Sequence, residues 1–126
     1  MSSELFADGT LQLLEKSLTW RSVGQETIAS NLANLETPGY TSQEVNFAKV
    51  LKDHLQGRPG IRLALTNPRH LPGAGSKAGL VQDTHEPPDL DREMVNLSLN
   101  QLGYHTSVAM LIKKLEQLRS VMEAQK

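Results

Sequence analysis

Along the first third of the chain the apolar residues Leu11, Leu14, Leu18, Ile28, Leu32 and Leu35 recur at steps of three and four, with Arg21 and Gln25 filling the gap. That spacing follows one heptad seam and predicts an amphipathic helix. Asp8 or Thr10 can cap its start, because a short side-chain oxygen takes a free amide of the first turn. Pro38 restricts Thr37 away from helical geometry, and Pro38-Gly39 supplies a turn. The pattern predicts a helix over residues 9–35, about 40 Å long.

The last third is more regular. Met94, Leu97, Gln101, Tyr104, Val108, Leu111, Leu115, Leu118 and Met122 alternate three and four without a break, with one polar position at Gln101. Asp89 and Asp91 follow Pro87-Pro88, where acidic groups favour the amide end of a helix, and Lys113, Lys114 and Arg119 lie toward the far end with the opposite sign. A helix over residues 90–123 is predicted, about 50 Å long.

Residues 37–89 lack this periodicity and hold all six prolines. Asn46 is placed to cap a short helix carrying Phe47, Val50, Leu51 and Leu55 and ending near Gly57. Ile61-Arg62-Leu63-Ala64-Leu65 alternates like a short strand, and Gly73 to Gly79 reads as a loop. The expected fold is mainly α: two long terminal helices forming an antiparallel coiled-coil-like hairpin, with an irregular middle segment containing this candidate short helix and short strand. With 126 residues the chain is expected to be a single domain.

Composition sharpens the picture. Only 38% of residues are hydrophobic and five are aromatic (Phe6, Trp20, Tyr40, Phe47 and Tyr104), which is little material for a large interior. Leu13, Trp20 and Val23, and also Leu99, Leu102, Ala109 and Ile112, fall off the two seams. A hairpin cannot cover them, so they are expected to meet partners unless the middle segment folds over them. The formal net charge of −1 argues against nucleic-acid binding. The chain has no cysteine, so no disulfide or thiolate chemistry is available. The longest apolar run, Val108 to Ile112, is too short to span a membrane, and no cleavable secretory leader is visible in Met1 to Thr10.

Candidate chemistry is sparse. The spacing of His54, His70, His85 and His105 matches no zinc pattern. Asp89, Asp91 and Glu93 are explained by their place at a helix start, and Asp53, Asp83 and Glu86 form no recognisable pair. No nucleophile elbow, phosphate-binding loop or dinucleotide fingerprint occurs. No enzyme activity, metal, cofactor or small-molecule substrate is expected.

Two stretches are more specific. Ala29-Ser30-Asn31-Leu32-Ala33-Asn34-Leu35-Glu36-Thr37-Pro38-Gly39-Tyr40 resembles the N-terminal signature of bacterial flagellar rod, hook and hook-associated proteins. Asn31 and Asn34 offer amides to orphan carbonyls at the helix end, and Pro38-Gly39 fixes the exit turn. Asp89-Leu90-Asp91-Arg92-Glu93 and Asn100-Gln101-Leu102-Gly103-Tyr104 are similar to the C-terminal pattern of the short proximal rod proteins of that family, as Thr66, His70 and Leu71-Pro72 are to their middle segment.

The resemblance implies a structural subunit of the basal-body rod, exported through the flagellar type III apparatus without a cleavable leader, whose terminal helices pack into a helical tube that carries torque to the hook. The whole chain, residues 1–126, is then one rod-subunit domain. Its implied assembly motif is Asn31, Asn34, Thr37, Pro38, Gly39 and Tyr40. Its implied partners are other copies of itself, other rod proteins, and the membrane-embedded ring and export-gate proteins at the rod base. The alternative from another class is a soluble helical-hairpin binding module such as a cytoplasmic export chaperone.

Overall fold

The computed structural model describes residues 9–57 and 80–126. The order of elements is α1 (Gly9–Ala33), β1 (Gln43–Val45), α2 (Phe47–Leu55), β2 (Val81–Asp83) and α3 (Leu90–Ala124). The strand expected at residues 61–65, the loop at 73–79, and Phe6, Asp8, Thr66, His70, Leu71 and Pro72 lie outside the described residues.

The two long helices run antiparallel. Ser17 Oγ lies 3.2 Å from Ser107 Oγ. One turn on, Arg21 meets Gly103, and one turn further Gly24 meets Asn100. Each step up α1 is thus a step down α3. α3, at 35 residues, is about 52 Å long. It starts where the proline and acidic signals place it: Asp89 is the N-cap, and its Oδ1 accepts from the Asp91 amide at 3.3 Å. α1 closes at Ala33, two residues before the expected end, because the chain turns at Asn34. Leu35 therefore sits in that turn.

α2 forms where Asn46 signals it. Asn46 Oδ1 accepts from the Lys49 amide at 3.0 Å, and the helix stops before Gly57, whose φ is 62°. Its one buried side chain is Val50. The helix runs back along α1: Phe47 stands beside Gly24, and the His54 ring meets Trp20 edge-on at 6.1 Å. Part of the middle segment thus covers Trp20, one of the off-seam residues of α1.

The two strands were not visible in the sequence. β1 and β2 pair antiparallel, with Gln43 opposite Asp83 and Val45 opposite Val81. The ribbon continues past its formal end, since the Ser42 amide donates to the Glu86 carbonyl at 2.8 Å and the Thr84 amide to the Ser42 carbonyl at 2.9 Å. A two-stranded ribbon is marginal alone. This one is tied to α1 through Asn31.

Candidate assembly surface

The helix-exit motif is a hydrogen-bonded clamp. Asn31 is 1% exposed, and its side-chain amide imitates a peptide group. Nδ2 donates to the Gln43 carbonyl at 2.7 Å, and the Gln43 amide donates back to Oδ1 at 3.0 Å. Tyr40 Oη also donates to Asn31 Oδ1 at 3.1 Å and lies 3.2 Å from Ser30 Oγ. Asn34 performs the helix-end task expected of it, donating from Nδ2 to the Ser30 carbonyl at 2.8 Å, and its Oδ1 accepts from Thr37 Oγ1 at 3.0 Å. Asn31 serves a different purpose from the expected one: it holds no helix carbonyl but fixes β1 to α1. Between the two ends, the Tyr40 amide reaches the Thr37 carbonyl at 3.3 Å, and Gly39 has φ 76°. Proline followed by a left-handed glycine is the pattern of a type II turn.

The face that α3 turns toward α1 is in large part polar. Glu93, Asn100 and Ser107, spaced by seven, are buried, and so is Leu118. Opposite them stand the buried Gly24, Thr27, Ile28 and Asn31. Small and polar groups let the backbones approach. An added Cβ at Gly24 would lie 2.9 Å from Asn100 Oδ1, and one at Gly103 would lie 2.5 Å from the Arg21 guanidinium carbon. Some of the polar groups are bonded across the contact. Asn100 Nδ2 donates to the Arg21 carbonyl at 2.9 Å and Ser107 Oγ lies 3.2 Å from Ser17 Oγ, while within α3 Ser107 Oγ also donates to the Gly103 carbonyl at 3.0 Å.

The seam residues are placed accordingly. On α1, Leu14 and Ile28 are buried and Leu11, Leu18 and Leu32 half-buried; Leu35 in the turn is half-buried too. On α3, Leu118 is buried and Leu97, Val108 and Leu111 are half-buried. Met94, Tyr104, Leu115 and Met122 are exposed and do not face α1. Glu93, Asn100 and Ser107, each one residue before the expected Met94, Gln101 and Val108, take the most buried places beside Leu97, Leu111 and Leu118, which keep theirs, because α1 presents glycine, threonine and asparagine there. The off-seam residues Leu99, Leu102, Ala109 and Ile112 are exposed as well. Glu93 lies in the first turn of α3 with Asp91, as expected, and is buried in the helix contact as well. The recurrence of Glu93, Asn100 and Ser107 at seven-residue steps was the signal available for this seam. A search for apolar residues passes over it.

Eleven large apolar side chains of α3 are exposed, running from Leu90 to Met122, against Leu51 and Leu55 of α2 elsewhere among the described residues. Single exposed apolar residues are ordinary, but eleven along one helix, spread over the faces turned away from α1, mark contact surface. Charge decorates its edges. Arg92 Nη1 meets Glu86 Oε2 at 2.7 Å, and Arg119 Nε meets Glu123 Oε1 at 2.8 Å. Both pairs are exposed and contribute little. The His85 amide and the Thr41 hydroxyl donate to Asp83 and hold its carboxyl below the ordinary value of 3.8. Among the described residues no group of histidine and carboxylate side chains is arranged to hold a metal, and no helix is long and apolar enough to cross a membrane.

The family model of the flagella basal body rod protein matches residues 15–41, which span most of α1 and the exit motif from Asn31 to Tyr40. The chain is 31% identical to the flagellar basal body rod protein FlgB of Yersinia enterocolitica over 92% of its own length and 95% of that protein. It is 29% identical to FlgB of Salmonella typhimurium over 92% and 94% of the two lengths, and 28% identical to FlgB of Bacillus subtilis over 90% and 93%. The expectation of a short rod protein is met along nearly the full length, and a chain with this hairpin, this exit clamp and these relatives belongs to the FlgB family of flagellar basal body rod proteins.

Proposed function

We propose that this chain builds the flagellar rod as a structural subunit, using the outward apolar face of α3 to contact neighbouring subunits. The observation that carries the reading is the apolar surface that α3 leaves outside the hairpin. Its buried residues are Glu93, Asn100, Ser107 and Leu118, while Leu99, Leu102, Ile112 and Leu115 are exposed. Leaving each such side chain wet forgoes about 1.5–3 kcal/mol of burial, which association with other helices recovers. The clamp at Asn31 and Tyr40 gives the chain a fixed exit from α1, as a subunit in a regular tube requires. On this reading the subunit stands in the proximal, periplasmic part of the rod and helps pass torque to the hook. It arrives by the flagellar export route without a cleavable leader. Its neighbours are copies of itself, other rod proteins, and the ring and export-gate proteins at the rod base.

The relatives are named as rod proteins, so the export-chaperone alternative is not favoured. Deleting the gene and restoring it as wild type or as Leu99→Asp tests the proposal. Wild type should return swimming and intact hook–basal bodies. Leu99→Asp should be made and exported yet leave cells without rods. Swimming in the deletion strain would contradict the reading.

A further inference from the structure

Resting on the rod reading above, we infer that the groove between α1, β1 and the first turns of α3 receives a lysine or arginine side chain of a neighbouring rod subunit, held by the carboxylate of Glu93. The groove has a volume of about 240 Å³, and Glu93, Asn100, Glu44, Phe47 and Leu99 are among its walls. Glu93 is 3% exposed and Asn100 4%. Glu93 Oε2 and Asn100 Oδ1 are both buried without a hydrogen-bond partner.

The groups that could complete them are occupied elsewhere: Arg92, whose charge reaches Glu44 and Glu93, is paired with Glu86 Oε2 at 2.7 Å. Asn100 spends its Nδ2 on the Arg21 carbonyl at 2.9 Å. Arg21, the cation in the wall, stacks over the Phe47 ring at 4.1 Å. Glu44, also in the wall, adds a further acceptor, with Oε1 3.4 Å from Gln82 Nε2. Buried acceptors are ordinarily paired, and a buried carboxylate most of all. The groove therefore offers negative charge and lone pairs and calls for a donor carrying positive charge.

A divalent ion is a poor match, because hard cations take six or more oxygens and only one carboxylate here is deeply buried. A basic side chain fits better. Its head pairs with Glu93 and Asn100, and its hydrocarbon stem lies along Phe47 and Leu99. Leu99 is 59% exposed and belongs to the outward face of α3, so the groove opens directly onto the surface proposed to meet the next subunit.

Glu93→Gln tests this, because it preserves shape and removes the charge. Two quantities are read: the thermal midpoint of the isolated full-length chain, and the yield of hook–basal bodies in cells carrying the variant as their sole copy. The inference expects a midpoint equal to or above wild type and a yield lowered at least fivefold. A smaller loss of yield means the groove holds only water and overturns the inference. A fall in the midpoint alongside the yield means that Glu93 serves the hairpin itself, and overturns it too. The deletion strain separates the two levels. If it still builds rods, the rod reading fails; if it is rodless while Glu93→Gln assembles normally, only the docking of a basic side chain fails.

Discussion

The side-chain amide of Asn31 has the donor and acceptor of a peptide group, and at 1% exposure it needs both matched. Gln43 matches them on one residue, and Tyr40 adds a third bond. Asn31→Ala leaves the Gln43 amide and carbonyl without their side-chain partner and the Tyr40 hydroxyl with Ser30 Oγ alone. The expected loss is about 3 kcal/mol, seen as a lower thermal midpoint and as faster hydrogen exchange at the Gln43 amide. Gly39 acts by backbone alone. No atom lies within 4 Å of an added Cβ, but its φ of 76° is one that branched side chains avoid. Gly39→Val should cost about 1–2 kcal/mol, tilt the exit of the chain, and leave the helix content of α1 unchanged by circular dichroism. Its cells should make and export the protein without building rods. Normal swimming would reduce the turn to a convenient stop. The motif was legible in the sequence as a turn. That Asn31 reaches twelve residues forward was not, because a side-chain bond to a distant backbone leaves no periodicity.

At the scale of elements, two features decide the hairpin: close approach and polar pairing. Gly24 sits where α3 comes nearest, with Asn100 Oδ1 and Phe47 Cζ at 2.9 and 3.1 Å from its virtual Cβ. Asn100 is held in place by its bond to the Arg21 carbonyl and cannot swing away freely. Gly24→Ala should therefore destabilise by about 1–3 kcal/mol, despite alanine's better helix propensity, which denaturant unfolding will show. The β1–β2 ribbon carries a pH response through Asp83. A carboxyl whose value is lowered by folding contributes stability above its unfolded value near 3.8, and that contribution fades as pH falls through the lower folded value. Exchange of the Thr84 amide should accelerate below that range, and Asp83→Asn should remove the acid dependence.

The helices were readable because their caps and proline stops are local. Asn46 and Asp89 each announce a start within three residues. The strands were not readable, since three-residue segments carry no measurable alternation and their pairing joins positions some forty residues apart. The polar half of the α3 seam was hidden for a different reason: the rule that apolar residues face inward assumes that the chain folds for itself.

Taken as a whole molecule, the chain resembles half of a larger packing problem. Its internal contact is narrow and largely polar, while its broadest apolar surface points outward from α3. The same arrangement accounts for the low aromatic content, since an assembly, not the single subunit, supplies the interior. The central claim is that this outward face is buried when the rod forms. The chain lacks cysteine, so Leu102→Cys gives a single reporter on a residue that is 63% exposed in the subunit. The decisive measurement is the rate of maleimide labelling at that position, in the isolated chain and in purified hook–basal bodies. The account predicts ready labelling of the isolated chain and at least tenfold protection in the assembled rod. Equal labelling in the two states would contradict it.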